Sequence, residues 1–427
     1  MIGGLRKLNR RTFIKATAFS VAALLTGCKS KNNSSLPDIK FLRQIITKDI
    51  NVERCIMWQT DLPMTEPRVE IAIKGKSIGA FSAQDSSFAD DKKNVNQYTA
   101  QIYGLDEKKS YEYRIIDGDA FGDWYPLKQS ADDKLKVIIF PDSQCGGDYD
   151  TWGEIANNAF ERNPDAEFFI NVGDLVDNGE DSAQWQDWFE QIEDYTSIIP
   201  FAPVMGNHET YSRDWQTRQP IAYLNYFEPP DNEVPEFARR FYSFDCGSVH
   251  FAILDSQWEE LDNFRPNLRA KEIEWLRRDM QATNKPWKVV FIHKDVLQYR
   301  INNRPDRQEG FSDVGKIFMP EFESLGVDVV FTGHLHTYRN RGRLKNFRED
   351  ETGTLYILTG VCGNVRYDKL WINHALDKYV APQPETGNYL TMSVDAKTLT
   401  VKCFLPDGKM IDETVLTKGD KLYDEYY

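Results

Sequence analysis

Two histidines stand one residue apart in the segment FTGHLHTY, residues 331–338. They follow an apolar run that is typical of a buried strand, and histidine is scarce in this chain, with 6 in 427 residues. Imidazole nitrogen is a frequent ligand of zinc, copper, iron and nickel. The close spacing of His334 and His336 therefore indicates a metal site. The alternative is a pair of loop histidines that are hydrogen-bonded to the backbone.

Four other apolar runs also end in polar residues that can bind a metal. These residues are Asp142 and Gln144 after LKVIIFP, Asp174 after EFFINVG, Asn207 and His208 after FAPVMG, and His293 after WKVVFI. Ligands of open α/β sheets bind at the carboxyl ends of the strands, so side chains from distant positions are expected to meet there. Single residues have other interpretations: Asp174 as a helix N-cap, and His293 as a hydrogen-bonded core histidine.

The elements that would position these residues have an α/β pattern. From Leu135 onward, apolar runs alternate with amphipathic stretches such as residues 270–283, in which Ile273, Leu276 and Met280 fall on one helical face. Continuous apolar runs separated by helices predict strands that are buried on both faces. Further strands are expected near residues 241–256 and 353–360, with a hairpin-like region towards the end of the chain.

Residues 40–130 have a different pattern. Short segments such as RVEIAIKG and SYEYRIID alternate apolar and polar residues between turn residues, which predicts an all-β sandwich. The stretch GLDEKKSYEYRI resembles a late strand of a fibronectin type III domain, with Leu105 before the turn and Tyr111 at the position of a tyrosine corner. No catalytic constellation is found here, so a structural or spacer module is expected.

Taken in order, the motifs D-x-Q, G-D, G-N-H-E, a lone histidine and G-H-x-H resemble those of the calcineurin-like metallophosphoesterase superfamily. The preceding fibronectin-like segment and Tyr338 after the last motif make the chain similar to the purple acid phosphatases and their bacterial relatives. The resemblance implies an α/β metallophosphoesterase-type β-sandwich flanked by helices over residues 134–420. An all-β fibronectin type III-like sandwich over residues 39–130 would precede it.

The resemblance further implies two metal ions that share Asp174 as a bridge. The ligands that it implies are Asp142 and His336 in the first site, and Asn207, His293 and His334 in the second. Gln144 stands where the wider superfamily often has histidine, and its neutral amide oxygen is a weaker ligand. Iron, manganese or zinc is expected, because oxygen and nitrogen ligands suit these ions.

The resemblance implies in-line attack on phosphorus by a hydroxide held between the two ions. His208, beside Asn207, would bind the phosphate and protonate the leaving group, with Glu209 orienting its ring. The expected activity is hydrolysis of a phosphoester. Phosphomonoesters are favoured, because arginines could frame the cleft; these are Arg300, Arg304, Arg307, Arg339, Arg341 and Arg343.

Two departures from the family pattern leave alternatives open. Asp177 stands where purple acid phosphatases place a tyrosine, so ferric tyrosinate chemistry is not expected. The Asp177 carboxylate could bind a metal directly, but a position outside the metal shell or exposed to solvent is favoured. Together with the neutral Gln144, this departure keeps open an envelope lipoprotein whose phosphatase-like domain binds but does not catalyse. A phosphodiesterase of the same fold is the other alternative.

Residues 1–28 resemble a twin-arginine export signal joined to a bacterial lipoprotein cleavage site. Arg10 and Arg11 precede an apolar run, residues 16–25, that is half the ~20 residues needed to span a bilayer, and Cys28 follows it. The resemblance implies lipidation of Cys28 and a tether over residues 29–38. The expected product is an exported cell-envelope lipoprotein, periplasmic or surface-facing, that is held to the membrane by its lipid.

Net charge and cysteine content limit the kinds of partner and metal site that are expected. A formal net charge of −14 argues against nucleic acid, because phosphate backbones are bound by an excess of lysine and arginine. The five cysteines after Cys28 are scattered and odd in number, so neither a disulfide framework nor a thiolate metal site is expected. His250 and His374 match no motif and are expected to be structural, and the oligomeric state stays open.

Overall fold

The computed structural model describes residues 36–128, 134–395 and 397–418. The predicted signal over residues 1–28, with its lipidation site Cys28, lies outside these residues, as does most of the predicted tether. None of the helices in the described ranges is long and apolar enough to cross a membrane.

An all-β sandwich forms the first part of the described chain. Its strands are β1 (Ile39–Ile45), β2 (Glu53–Thr60), β3 (Pro67–Ile73), β4 (Lys76–Ser82), β5 (Gln84–Asp85), β6 (Phe88–Asp90), β7 (Lys93–Tyr103), β8 (Tyr111–Asp117), β9 (Ala120–Phe121) and β10 (Tyr125–Leu127). One layer has the order β1-β2-β7-β5, and the other has the order β10-β8-β3-β4. Trp58, Val69, Tyr98 and Tyr113 pack between the layers. The predicted alternation is confirmed in β8, where buried and partly buried residues alternate. β2 is instead buried along nearly its whole length, because its second face packs against the core of the following part, with Cys55 and Met57.

The second part contains sixteen strands within the described residues. They are β11 (Leu135–Phe140), β12 (Phe168–Asn171), β13 (Phe201–Pro203), β14 (Tyr242–Cys246), β15 (Val249–Leu254), β16 (Trp287–Ile292), β17 (Leu297–Gln298), β18 (Gly310–Phe311), β19 (Val329–Thr332), β20 (Tyr338–Lys345), β21 (Arg348–Glu349), β22 (Thr354–Thr359), β23 (Tyr379–Val380), β24 (Tyr389–Val394), β25 (Thr398–Phe404) and β26 (Met410–Thr417). The expected strands near residues 241–256 and 353–360 are β14, β15 and β22.

The same part contains six α-helices and two short 3-10 helices within the described residues. The α-helices are α1 (Asp150–Arg162), α2 (Ser182–Thr196), α3 (Ile221–Tyr226), α4 (Trp258–Leu261), α5 (Leu268–Ala282) and α6 (Asp313–Leu325), and the 3-10 helices are His208–Thr210 and Pro235–Phe237. Side-chain caps begin two of them: Asp181 accepts a hydrogen bond from the Ala183 amide of α2, and Ser312 accepts one from the Gly315 amide of α6.

Two sheets face each other in this part. One has the order β26-β25-β24-β11-β12-β13, and the other has the order β14-β15-β16-β19-β22-β20-β21. Neighbouring central strands are parallel, such as β11 with β12 and β16 with β19. Val137, Ile139, Phe168, Phe251 and Phe291 belong to the core between the sheets. The central strands are buried on both faces, which explains their continuous apolar sequences.

Helices cover the outer faces of both sheets. Trp152 of α1 and Trp188 of α2 pack in the core outside the first sheet. Leu276 of α5 and Phe318 of α6 pack in the core outside the second, with Ile273 partly buried against them. The resulting α-β-β-α layers confirm the predicted α/β architecture.

A strand pairing joins the two parts of the described chain. Ile45 of β1 lies beside Phe201 of β13 in a parallel bridge, so one sheet of the sandwich continues the first sheet of the α/β part. The buried Arg43 strengthens this junction, because its guanidinium donates to the Tyr226 carbonyl (2.9 Å) and to Gln97 Oε1 (2.7 Å). The first sandwich therefore packs on the part that carries the predicted ligands.

Candidate metal centre

The predicted ligands lie in loops that directly follow central strands. Asp142 follows β11, Asp174 follows β12, Asn207 follows β13, His293 follows β16 and His334 follows β19. Backbone contacts join neighbouring loops: the Asp174 carbonyl accepts hydrogen bonds from the amides of Ser143 (3.1 Å) and Gln144 (2.9 Å). The parallel strands thus bring residues from distant sequence positions to one end of the two sheets.

Asp142, Asp174 and His336 form one cluster, in which a ligand atom of each lies within 4.8 Å of the others. All three side chains are buried, and Nε2 of His336 lies 3.3 Å from Oδ2 of Asp142. The other ring nitrogen, Nδ1, donates a hydrogen bond to the Val365 carbonyl at 2.9 Å. A backbone carbonyl on one nitrogen leaves the other facing the cluster, as metal-binding histidines require.

Asp174 also belongs to a second cluster, with His293 and His334. Nε2 of His293 lies 3.1 Å from Oδ2 of Asp174 and 3.2 Å from Oδ1 of Asn207. Nδ1 of His293 donates to the Val172 carbonyl at 2.8 Å. The structure therefore brings six of the seven predicted ligands together, with the Asp174 carboxylate common to both clusters; these six are Asp142, Asp174, Asn207, His293, His334 and His336.

Gln144 and His334 carry buried polar atoms that have no hydrogen-bond partner within the described residues. These atoms are Nδ1 of His334 and both polar side-chain atoms of Gln144. Buried polar atoms are nearly always hydrogen-bonded, so a missing partner requires an explanation. A cation would satisfy a histidine nitrogen or an amide oxygen here. Together with the two clusters, this observation shows that the side chains fit a pair of metal ions.

Close backbone approach also shapes the site. A Cβ atom on Gly206 would lie 2.1 Å from Oδ1 of Asp174, and one on Gly333 would lie 2.5 Å from Oδ1 of Asp142. Three of the proposed ligands adopt left-handed backbone angles: Asp174 (φ 49°), His334 (φ 78°) and His336 (φ 52°). Such conformations cost roughly 1–3 kcal/mol each and concentrate at functional sites.

The local electrostatics produce the protonation states that metal binding needs. Burial alone would raise the pKa of the Asp174 carboxyl, but the charges of His293 and His208 hold it well below its usual range. Burial and the neighbouring His293 lower the pKa of His334 to about 3. At neutral pH Asp174 is therefore ionised and His334 is neutral, and both can donate an electron pair to a cation.

His208 contacts this centre at its edge. Its backbone amide donates to Oδ1 of Asp174 at 2.9 Å, and its Nε2 lies 3.9 Å from Oδ2 of the same carboxylate. Nδ1 donates to the Asp177 carbonyl at 2.7 Å, and the Asp177 carboxylate lies 3.5 Å away. The ring is thus held from its Nδ1 side, which leaves Nε2 towards the clusters.

The expectation that Glu209 orients His208 is wrong. Both Glu209 oxygens accept hydrogen bonds from backbone amides, namely those of Asp174 (3.0 Å), Leu175 (2.7 Å) and Gly206 (2.6 Å). Consecutive side chains in a 3-10 turn point about 120° apart, so Glu209 contacts these backbone amides while the His208 ring points in a different direction. Glu209 instead supports the loops that carry Asp174, and Asp177 holds the His208 ring.

The arginines of β20 do not frame the centre either. Arg339 and Arg341 are 1% and 0% exposed, because this part of the strand runs through the sheet interior. Arg339 donates to Asp377 (2.6 Å), and Arg341 donates to Asp295 (2.6 Å). Arg343 donates to the Gly353 carbonyl. The other three arginines, Arg300, Arg304 and Arg307, are exposed. Of these, Arg307 lines a cavity of about 230 Å³ beside His334.

Sequence reasoning missed two residues next to the clusters. The ring of Tyr367 lies 4.7 Å from the ring of His336. Lys294 lines the cavity beside His334, with its ammonium 2.7 Å and 2.9 Å from the two carboxylate oxygens of Glu260. Lys294 could have been found from the sequence, because it directly follows His293, whereas Tyr367 lies in a loop without a motif.

His250 and His374 lie outside both clusters. His250 contacts carboxylates, and His374 contacts a backbone carbonyl.

The sequence profile of the calcineurin-like phosphoesterase family matches residues 121–338, which are half of the chain. The chain belongs to the calcineurin-like phosphoesterase family. The matched range extends from β9 to the tyrosine that follows the GHLHT motif, and it contains all of the predicted metal ligands. The predicted superfamily is thereby confirmed.

Relatives of this calcineurin-like phosphoesterase include plant purple acid phosphatases. Purple acid phosphatase 15 of Arabidopsis thaliana is 30% identical over 208 residues, which are 48% of this chain and 36% of that protein. Fe(3+)-Zn(2+) purple acid phosphatase 12 of the same plant is 23% identical over 325 residues, covering 70% of this chain and 65% of the relative. The first three relatives are matched over about two fifths of their length.

Solved structures share the fold of this calcineurin-like phosphoesterase. The purple acid phosphatase PPD1 from yellow lupin (Lupinus luteus) seeds matches with a TM-score of 0.75 at 16% identity, covering 89% of this chain and 74% of that one. The structure of PhoD matches with a TM-score of 0.62 at 12% identity, covering 91% and 90%. Both likenesses extend over the first sandwich as well as the α/β part.

Proposed function

We propose that this chain is a hydrolase of phosphoesters that uses two metal ions, with iron, manganese or zinc as the candidates. The observation that carries the proposal is the pair of clusters that share the Asp174 carboxylate, in which His334 alone is half-buried and the other side chains are buried. Two such ions, when bound, supply positive charge that binds phosphoryl oxygens and lowers the pKa of water. This local charge accounts for how an acidic protein could hold an anionic substrate.

The proposed ligands divide between two sites. Asp142, His336 and, through its amide oxygen, Gln144 would hold the first ion. Asn207, His293 and His334 would hold the second, and Asp174 would contact both. The unpartnered side chain of Gln144 supports its inclusion, although an amide is a weaker ligand than the histidine found in related proteins.

His208 would supply the proton that the leaving group needs. Its Nδ1 donates to the Asp177 carbonyl, so the proton for the leaving oxygen is carried on Nε2 of the charged ring. The Asp177 carboxylate also lies 3.5 Å from Nδ1, on the same side of the ring as its carbonyl. His208 and Asn207 would also contact the phosphoryl group, which requires the ring orientation that Asp177 provides.

Phosphomonoesters are the substrates that we favour. The buried Arg339 and Arg341 no longer support this preference, and its support is now the similarity to proteins named acid phosphatases. A phosphodiesterase is the alternative. The test compares p-nitrophenyl phosphate with bis(p-nitrophenyl) phosphate, using protein loaded with manganese, zinc or Fe(II), and Asp174→Ala as the inactive control. Faster turnover of the diester would favour the alternative, and no turnover by fully loaded protein would favour a binding role without catalysis.

The chain outside the metal centre carries further proposals. We infer that residues 1–28 are a twin-arginine lipoprotein signal, that Cys28 is lipidated, and that residues 29–38 tether an exported envelope protein facing the periplasm or the surface. We assign residues 39–130 to a fibronectin type III-like domain and residues 134–420 to the metallophosphoesterase domain. The hydroxyl of Tyr111 accepts a hydrogen bond from the Asp106 amide at 2.9 Å, which supports the tyrosine-corner assignment.

A further inference from the structure

Trp215 is the exposed tryptophan of this protein. Its side chain is 54% exposed, whereas the other nine tryptophans, all within the described ranges, are buried or half-buried. An exposed indole forgoes the stabilisation that burial of its apolar surface would give. Stability alone therefore does not explain an indole at this position.

The exposed indole lies next to the proposed proton donor. The ring of Trp215 is centred 5.7 Å from the ring of His208, at an interplanar angle of 90°. Tyr211 contacts the same imidazole, with its ring centred 5.4 Å from it and 6.1 Å from Trp215. We call Tyr211 and Trp215 the aromatic platform.

The loop that carries the aromatic platform is held in one conformation by backbone hydrogen bonds. The Trp215 amide donates to the Ser212 carbonyl at 2.9 Å, and the Ser212 amide donates to the Gln216 carbonyl at 2.9 Å. The Ser212 carbonyl also accepts from Nδ2 of the buried Asn178 at 2.9 Å. Trp215 has a φ of 62°, a left-handed angle that is unfavourable for a bulky side chain. The surrounding contacts thus keep an exposed indole in a strained but defined position.

The first sandwich contributes to this loop. Nη1 of Arg213 lies 2.9 Å from the Asp91 carboxylate of the sandwich, and Nε of Arg213 lies 3.3 Å from the Asp181 carboxylate that caps α2. Arg213 itself is 61% exposed, so these ion pairs are weak individually. They nevertheless link the sandwich to the loop, two residues from Trp215.

The expected position of the leaving group relates His208 to the aromatic platform. If His208 protonates the ester oxygen, the alcohol part of the substrate must depart past the His208 ring. We propose that this part stacks on the aromatic platform, so that the protein selects phosphoesters whose alcohol carries a flat aromatic or heteroaromatic ring. The inference rests on the proposed function of His208. Stacking of a ring on an aromatic side chain should change kcat/KM by roughly tenfold.

The test uses two substrates of similar size, one with a flat aromatic ring and one with a puckered saturated ring. Benzyl phosphate and cyclohexylmethyl phosphate are esters of primary alcohols, so their leaving groups need protonation alike. We expect the wild-type protein to prefer benzyl phosphate by roughly tenfold in kcat/KM, Trp215→Ala to lose this preference, and Trp215→Phe to keep most of it. Phe121→Ala is the matched control, because Phe121 is an exposed aromatic of the first sandwich, 63% exposed. Metal content and circular dichroism verify each variant.

A binding measurement separates this inference from the proposed hydrolysis. The metal-loaded protein is titrated calorimetrically with benzylphosphonate and cyclohexylmethylphosphonate, which cannot be hydrolysed. Preferential binding of the benzyl compound that is lost in Trp215→Ala supports the platform even if no ester turns over, in which case the hydrolase proposal fails. If the wild-type protein binds the two phosphonates with equal affinity, or if Trp215→Ala keeps the preference for the benzyl compound, the proposed role of the aromatic platform is overturned. Neither result contradicts the proposed hydrolysis.

Discussion

One carboxylate oxygen of Asp174 lies 3.1 Å from Nε2 of His293, and the same carboxylate lies in a cluster with Asp142 and His336. A single side chain thus connects residues that reach the centre from both facing sheets. Removing it should disturb both proposed metal positions, whereas removing a ligand of one cluster should disturb one.

Asp174→Ala is expected to abolish hydrolysis and to reduce bound metal at both sites. His336→Ala should mainly empty the first site, and His334→Ala should mainly empty the second. Elemental analysis of each purified variant after equal loading measures the metal content. Two equivalents of metal retained by Asp174→Ala would show that this carboxylate is not shared.

His208→Ala is expected to retain both metals and to lose roughly 10²–10⁴ in rate, the range typical of general acid catalysis. The loss of rate should be largest for alkyl phosphates, because their leaving groups need a proton, and smallest for nitrophenyl phosphate. The measurement is kcat over a series of leaving groups, with metal content as the control. A uniform loss across the series would limit His208 to phosphate positioning.

Iron-loaded protein is expected to be colourless in the visible range, because Asp177 replaces the tyrosine that gives purple acid phosphatases their charge-transfer band. Tyr338 cannot readily take that role, since its hydroxyl donates to Asp412 at 2.7 Å. Tyr367, near His336, is the phenol to test. A strong visible band that disappears in Tyr367→Phe would contradict the expectation and identify a different phenolate ligand.

His250 should make stability depend on pH. Its ring lies between the carboxylates of Asp245 (2.7 Å) and Asp279 (2.8 Å). Burial lowers the pKa of His250, but these two carboxylates outweigh it and raise the pKa to about 9. The folded state therefore binds the proton more tightly than the unfolded chain does. This stabilisation is complete below about pH 6.5 and is lost as the pH rises through about 9.

His250→Gln measures this contribution. The difference in the free energy of unfolding between wild type and His250→Gln is expected to be largest at acidic pH and to shrink by up to about 3 kcal/mol across that interval. Denaturant unfolding at several pH values gives the difference. Asp279→Asn should reduce the pH-dependent part, since it removes one carboxylate. A difference that stays constant from pH 6 to pH 10 would rule out this linkage.

Cys28→Ser is expected to release the exported protein from membranes, because acyl chains on Cys28 are the proposed anchor. Replacement of Arg10 and Arg11 by lysine should instead leave the protein unexported. Fractionation of cells followed by a high-salt wash locates each variant. Retention of Cys28→Ser on washed membranes would exclude lipid anchoring through this residue.

The sequence alone determined the layer type of each part and the chemistry at the strand ends. Alternating apolar residues in RVEIAIKG and the continuous run WKVVFI distinguish strands buried on one face from strands buried on both, since this pattern is a local property of the backbone period. The motifs themselves contain carboxylates, amides and imidazoles, so a metal centre could be predicted without coordinates.

Only the tertiary structure decided which of those residues meet and what else surrounds them. The His334 amide donates to Oδ2 of Asp142 at 2.8 Å across 192 positions, a contact that depends on strand order and register. The same factors turn Glu209 towards backbone amides, bury Arg339 and bring Trp215 against His208. A sequence records side-chain type and local period, whereas these distances depend on how separate strands and loops pack, which no local pattern specifies.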